Sequence, residues 1–462
     1  MKILLVQSLL NREFGSAIYP IGLAYIGTAI RHHNHEVRIF DPNIATEPMK
    51  ELIQELDYFQ PDVAGVSLRN IDNQYRIQPY YFYKNFQTTI KTVRNWNSDI
   101  PLVVGGPGFS MFSQTIMENN LEIDFGVYLE GEESFPELLD NMGHPEKVKG
   151  VYFRNGGQSF FTGERPALDF SLLPFPYRDF HDISPYKSQP FAIGLQTKRG
   201  CPLKCIYCNY PHLNGKQLRL RSIQHIVREI EYLRSEYGVH EITFTDSVLN
   251  LPHQHSIELF QEIIEQKLDI QWNAYMHIKQ ITHDYVKLAI SSGCKTMLFS
   301  PDGYSQSALN GMKKGITTTE IKENIELFHK LPQSDNIKVA YCFFLSPFGE
   351  TLVGLLTTLM LALKWKIKRQ KRIDIMFAWI RLEPFTRAYE VAIREKSIRS
   401  DVDLLPPDTG SLSKTFYISP AVFYADALLF NFLKIRYRMV LAIKVCWHKI
   451  RSILLKPRHR RG

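Results

Sequence analysis

Eight residues, "CPLKCIYC" from 201 to 208, hold three of the six cysteines in this 462-residue chain: Cys201, Cys205 and Cys208. Three thiols without a fourth do not make an even disulfide pattern. A structural zinc site takes four protein donors, and three only where one position stays open for chemistry. Thiolates are also the usual ligands of iron–sulfur clusters. A cubane cluster has four irons, so three thiolates leave one iron open to a small molecule. A cluster that only carries electrons needs a fourth ligand. Cys294 and Cys342 lie in strand-like runs and Cys446 in a basic helix, where buried, inert thiols are expected.

The elements around this loop are repeated strand–helix units. Residues 1–140 alternate short apolar strands ("KILLVQ", "EVRIFD", "DVAGVSL", "PLVVGG", "FGVY") with helices, the first opened by Pro20. That pattern predicts a parallel, doubly wound sheet. Ligands of such sheets sit beyond the C-terminal strand ends, which carry Ser67 to Asn70, Gly105-Gly106-Pro107 and Glu130-Gly131-Glu132. A hairpin and a proline-punctuated linker follow. From about Phe191 six more strands alternate with helices near 222–237, 253–267, 282–292, 318–330 and 351–368. These make a partial (β/α)6 barrel, short of eight units, with the cysteine loop directly after its first strand. The expected division is an α/β domain over 1–145, a linker over 146–190, the barrel over 191–395 and a C-terminal loop and basic helix over 396–462.

Composition narrows the partners. The net charge of +8 is concentrated at one end: from Ala427 to Gly462 there are four Lys, six Arg and no acid, leaving the rest of the chain at −2. A nucleic-acid footprint on the body is therefore not expected. Few cysteines and no signal-peptide pattern at the start point to a reducing, cytoplasmic setting. The longest apolar run, "TLVGLLTTLMLAL" from 351 to 363, is too short to span a bilayer and reads as a buried helix.

"KRGCPLKCIYCNYP" resembles the cluster loop of radical S-adenosylmethionine (SAM) enzymes. "YPIGLAYIGTAIRHHNHEVRIFD", "VVGGPGFS" and "YLEGEESFPELL" are similar to the cobalamin-binding domain that precedes the barrel in one large class of them. "YCNYPHLNGKQLRLRS" and "FTDSVLNLP" look like the cobalamin-dependent methyltransferase branch, in particular the phosphinate P-methyltransferase group.

The resemblance implies roles residue by residue. Cys201, Cys205 and Cys208 would hold a [4Fe-4S] cluster whose open iron is chelated by SAM. Tyr207 would lie beside the adenine. Asp246 and Ser247 stand at the motif for the SAM amino group, and Ser300 and Asp302 where polar groups meet its ribose and carboxylate, although the usual glutamate is absent there. Ser346 and Pro347 alter the fifth-strand motif, and "IRLEPFT" ends the sixth strand, which meets SAM or substrate. Cobalamin would be contacted by Ser67, Asn70, Gly105, Gly106, Gly131 and Glu132. The connection "NREFGSAIYP" lacks Asp-x-His-x-x-Gly, so no histidine there would ligate the cobalt from below. His32, His33 and His35 read as solvated.

The implied activity is reductive cleavage of SAM followed by methylation of an unactivated position of a small molecule through cobalamin, with electrons from a flavodoxin or ferredoxin. Alternatives are cobalamin-dependent cyclisation or rearrangement, and a non-catalytic iron–sulfur or cobalamin-binding protein. A methylthiotransferase would carry a second cysteine triad in residues 1–150, which hold none. The basic C-terminal helix either packs across its own domain with its arginines outward, the commoner arrangement, or makes a peripheral contact with an anionic membrane.

Overall fold

The computed structural model describes residues 1–10, 17–332, 334–367 and 372–454, the side chains of 366, 367 and 440–454 excepted. The connection from 11 to 16, the side chain of Cys446 and the basic end from 455 to 462 lie outside the described residues.

The first sheet is built from β1 (Lys2–Gln7), β2 (Glu36–Phe40), β3 (Val63–Ser67), β4 (Leu102–Gly105) and β5 (Phe125–Val127), all parallel, followed by the antiparallel hairpin β6 (Val151–Asn155) and β7 (Gln158–Phe161). The order is β2-β1-β3-β4-β5-β6-β7. Ile3 to Gln7 are all buried, as both faces of a parallel sheet require. Helices α1 (Ile21–His32), α2 (Pro48–Phe59) and α3 (Phe82–Trp96) cover the sheet. The hairpin turns on Gly156 and Gly157, whose φ of +57° and +83° suit a two-residue turn. Because it pairs with β5, this sheet runs past the boundary expected at 145.

The barrel follows as β8 (Gly194–Leu195), the short antiparallel pair β9 (Lys198–Arg199) and β10 (Arg219–Leu220), then β11 (Glu241–Phe244), β12 (Gln271–Met276), β13 (Cys294–Asp302), β14 (Lys338–Phe344) and β15 (Ile373–Ala378). Six of these form one parallel sheet in the order β15-β14-β13-β12-β11-β8. Its helices are α4 (Ile223–Tyr237), α5 (His253–Glu265), α6 (His283–Ser291), α7 (Thr318–Lys330) and α8 (Leu352–Ile367). Thr317 and Glu320 form a reciprocal capping box at the start of α7.

One continuous apolar core runs through both sheets, and Phe180, Ile183 and Tyr186 of the linker fill the seam. The chain after β15 folds back on the barrel, where Leu382 donates to the Thr415 carbonyl at 2.8 Å. It ends in α9 (Phe423–Leu454).

Two expectations about helices change. The 351–363 run is not a buried helix: α8 turns Val353, Leu356, Met360 and Leu363 outward, because its core-facing side is taken by Leu355, Thr358, Leu361 and Trp365. Over 423–439, where its side chains are described, the C-terminal helix packs through one side, and large apolar residues lie among those it exposes.

Candidate functional site

The cysteine loop is a closed excursion from the barrel wall. β9 and β10 pair antiparallel at its two ends. Gly200 enters it at φ +96°, where a Cβ would lie 2.0 Å from the Gln217 carbonyl oxygen, so only glycine fits. Inside, the Cys201 amide donates to the Gly215 carbonyl at 3.0 Å and the Ile206 amide to that of Met312 at 3.1 Å. Cys201, Cys205 and Cys208 are free thiols. Burial pushes the Cys208 thiol up to about 12, and its cysteine neighbours Cys205 and Cys201 push the same way. Burial, Asp302 and Cys201 raise the Cys205 thiol, and Lys314 holds it down. Among the described residues no three Cys, His, Asp or Glu side chains close on one point, the geometry of a single bound ion. A cubane cluster instead spreads its thiolates over separate corners, and its irons would displace the protons that burial retains.

Tyr207 and Asp302, expected on the SAM side, are brought together. The Tyr207 hydroxyl donates to the Asp302 carboxylate, and Lys314 Nζ bonds that same oxygen at 2.6 Å and the Tyr207 oxygen at 3.1 Å. Burial alone would lower the Lys314 ammonium; Asp302 and Cys205 carry it above its ordinary value. Asp302 reaches this place with a left-handed backbone, φ +65°. Lys314 had no mark in the sequence, being the second lysine of an ordinary "KKG" turn.

Asp246 is buried in the barrel wall. It accepts the Thr197 amide at 2.8 Å, the Thr197 hydroxyl at 2.5 Å and Lys198 Nζ at 3.2 Å. The ammonium it meets here is that of Lys198, so the carboxylate braces the segment just before the cysteine loop. Ser247 donates to the Gly200 carbonyl at 3.1 Å and braces the loop itself. Ser300 is half-buried near the end of β13.

Against the loop lies a cleft at the C-terminal ends of the first sheet. Ser67, Gly105, Gly106, Gly131 and Glu132 line it, with Gln196, Arg199 and Asn214 from the barrel side. Asn70 does not: Leu68 and Ile71 turn inward, leaving Asn70 exposed on the connection between them. No lining residue is a histidine. A Cβ built at Gly105 makes only ordinary van der Waals contact, its nearest neighbour being the Val127 carbonyl at 3.5 Å. Gly106, at φ +95°, would meet the Leu68 carbonyl at 2.8 Å. A wall that is apolar with glycine at the strand ends suits the close approach of a large flat ring.

Ion pairs join the two halves. Arg199 bonds Glu132 and, at 3.1 Å, Glu130, which also takes Arg219 at 2.7 Å. Burial pulls the Glu130 carboxyl up, but the bonds from Arg219 and Arg199 hold it below the usual range. The glycine–glutamate turn of the first sheet is thereby fixed to both strands that carry the cysteine loop.

A carboxylate missed in the sequence, Glu383, sits in the "IRLEPFT" segment. It accepts the Asn209 side-chain amide at 2.6 Å and that of Gln74 at 2.9 Å. Burial pushes its carboxyl up to about 7, against the pull of Arg381, whose guanidinium is paired with Asp72 at 3.0 Å.

Comparisons with known proteins agree with this arrangement. Residues 8–139 match the B12 binding domain family and residues 195–347 the radical SAM superfamily. An uncharacterized methyltransferase of Pyrococcus horikoshii is 28% identical over 405 residues, covering 85% of this chain and 83% of its own. The cytidylyl-2-hydroxyethylphosphonate methyltransferase of Streptomyces wedmorensis is 24% identical over 371 residues, 68% of this chain and 67% of its own. Among solved structures, the radical S-adenosylmethionine methyltransferase TsrM of Kitasatospora setae, with cobalamin and a [4Fe-4S] cluster bound, superposes with a TM-score of 0.77 at 19% identity, covering 94% of this chain and 90% of that one.

Proposed function

Because the chain belongs to the radical SAM proteins that carry an N-terminal B12-binding domain, we propose that it methylates an unactivated position of a small molecule. The observation that carries this reading is the glycine-lined cleft lying directly against the cysteine loop, held there by Arg199, Glu130 and Glu132. The methyltransferases of P. horikoshii and S. wedmorensis support the reaction class.

When bound, the cluster and SAM supply one-electron cleavage of a sulfonium bond, and cobalamin supplies a transferable methyl group. The protein's part is to hold and to shield. Cys201, Cys205 and Cys208 are the cluster donors, their loop kept rigid by Gly200 and Ser247. Tyr207, Asp302 and Ser300 face the SAM side, with Lys314 fixing the first two and Asp246 bracing the wall behind through Thr197 and Lys198. Ser67, Gly105, Gly106, Gly131 and Glu132 form the cobalamin wall. Apolar cleft walls exclude water, which protects reactive species from quenching. A flavodoxin- or ferredoxin-type donor delivers the electrons, and the basic helix α9 makes a peripheral contact with an anionic membrane.

Anaerobic protein given reductant and SAM tests the reading. Release of 5′-deoxyadenosine, together with iron and cobalt retained on the chain, is expected; absence of both the nucleoside and cobalt would rule the reading out.

A further inference from the structure

A surface helix ordinarily turns its apolar side chains inward. α8 and α9 do the reverse on one side each. Along α8, Val353, Leu356, Met360 and Leu363 recur at helical spacing and are 50–75% exposed. Along α9, Tyr424, Leu428, Phe432, Ile435 and Met439 do the same at 55–83% exposure. The inward faces of the two helices share one small core. Leu355 and Leu359 of α8 and Leu429, Phe430 and Leu433 of α9 pack with Trp379 and Val422. Two apolar stripes therefore flank a common core, and rows of exposed apolar side chains, unlike single ones, mark a surface with a partner.

We propose that the two stripes form one docking face for an anionic lipid bilayer. This rests on α9 as a peripheral membrane contact and adds α8 as its second half. Charge identifies the occupant. From 352 to 363 there is no charged residue, and the chain then runs into "KWKIKRQKR", residues 364–372, with six bases and no acid. The stretch from 427 to 462 has ten bases and no acid. The one acid of α9, Asp426, is buried and taken up by Arg76 at 2.6 Å and Trp379 Nε1 at 2.7 Å. A second copy seated on this face would bring like charges together, whereas anionic headgroups complement them. Among the described residues no helix is long and apolar enough to cross a membrane, so the helices lie in the interface, apolar stripes down and bases toward phosphates.

The test is flotation of the full chain with vesicles of phosphatidylcholine alone and of phosphatidylcholine mixed with phosphatidylglycerol. Binding to the mixed vesicles, at least about tenfold weaker to the neutral ones and weakened by salt, is expected. Leu356→Gln with Met360→Gln in α8, and Phe432→Gln with Ile435→Gln in α9, should each weaken binding by about tenfold while circular dichroism stays unchanged. Loss with the α9 pair but full binding with the α8 pair would overturn the two-helix face and leave α9 alone as the contact. No binding of the parent chain to the mixed vesicles would overturn both. A stable dimer converted to monomer by the α8 pair would assign the face to a second copy and overturn the lipid.

Discussion

Asn209, one residue past the last thiol of the cysteine loop, donates its side-chain amide to the Glu383 carboxylate at 2.6 Å. Gln74, from the connection after β3, takes the other oxygen at 2.9 Å. One buried carboxylate thus joins the first domain, the cysteine loop and the segment after β15.

That burial gives Glu383 a pH signature. The folded protein keeps its proton up to about 7, whereas the unfolded chain releases it near 4.5. Between those values the folded state binds more protons, so this group makes stability fall as pH rises through the window, by an amount on the order of a few kcal/mol. Glu383→Gln should flatten that slope: calorimetry should find the variant gaining melting temperature relative to the parent between about pH 5 and about pH 8. A parallel shift of both proteins would contradict the assignment.

Two neighbouring glycines should separate binding from folding. Gly105 lines the cleft on ordinary backbone, where a Cβ makes no clash, so Gly105→Leu should abolish retained cobalt with little change in melting temperature. Gly106→Ala forces a Cβ onto a left-handed residue against the Leu68 carbonyl and should cost about 1–2 kcal/mol of stability. Cobalt analysis and thermal melts on both variants check the pair.

Glu229 holds two arginines in the core: Arg178 at 2.9 Å and Arg221 at 2.6 Å, all three side chains at most 1% exposed. The same arginines donate to the Gly194 and Gln196 carbonyls at the root of the cysteine loop. Removing the carboxylate leaves two buried cations uncompensated, so Glu229→Gln should destabilise by about 3–5 kcal/mol in denaturant titrations. Glu47→Gln, which breaks an exposed pair with Lys50, should change stability by less than about 1 kcal/mol.

The architecture was legible because its signals are local. Continuous apolar runs name parallel strands, and the lengths of the barrel helices follow from apolar periodicity; β14 spans the "KVAYCFF" run end to end. The three cysteines announce themselves by spacing alone. Glu383, Lys314 and Gln74 could not, since each acquires its place from partners far off in the chain: Gln74 and Glu383 are 309 residues apart. Asp246 lies just past the end of β11, and only the fold reveals that Thr197 and Lys198, from the stretch between β8 and the cysteine loop, reach its oxygens. The orientation of α8 was also beyond reach, because an unbroken apolar run does not say which side lacks a partner.

Iron content and electron paramagnetic resonance of the anaerobically reconstituted, reduced protein test the central claim most directly, with and without SAM and beside Cys205→Ala. The account predicts roughly four irons per chain, a cluster signal that shifts when SAM is added, and loss of both the signal and its shift in the variant. A signal indifferent to SAM, or one that survives Cys205→Ala unchanged, would contradict it.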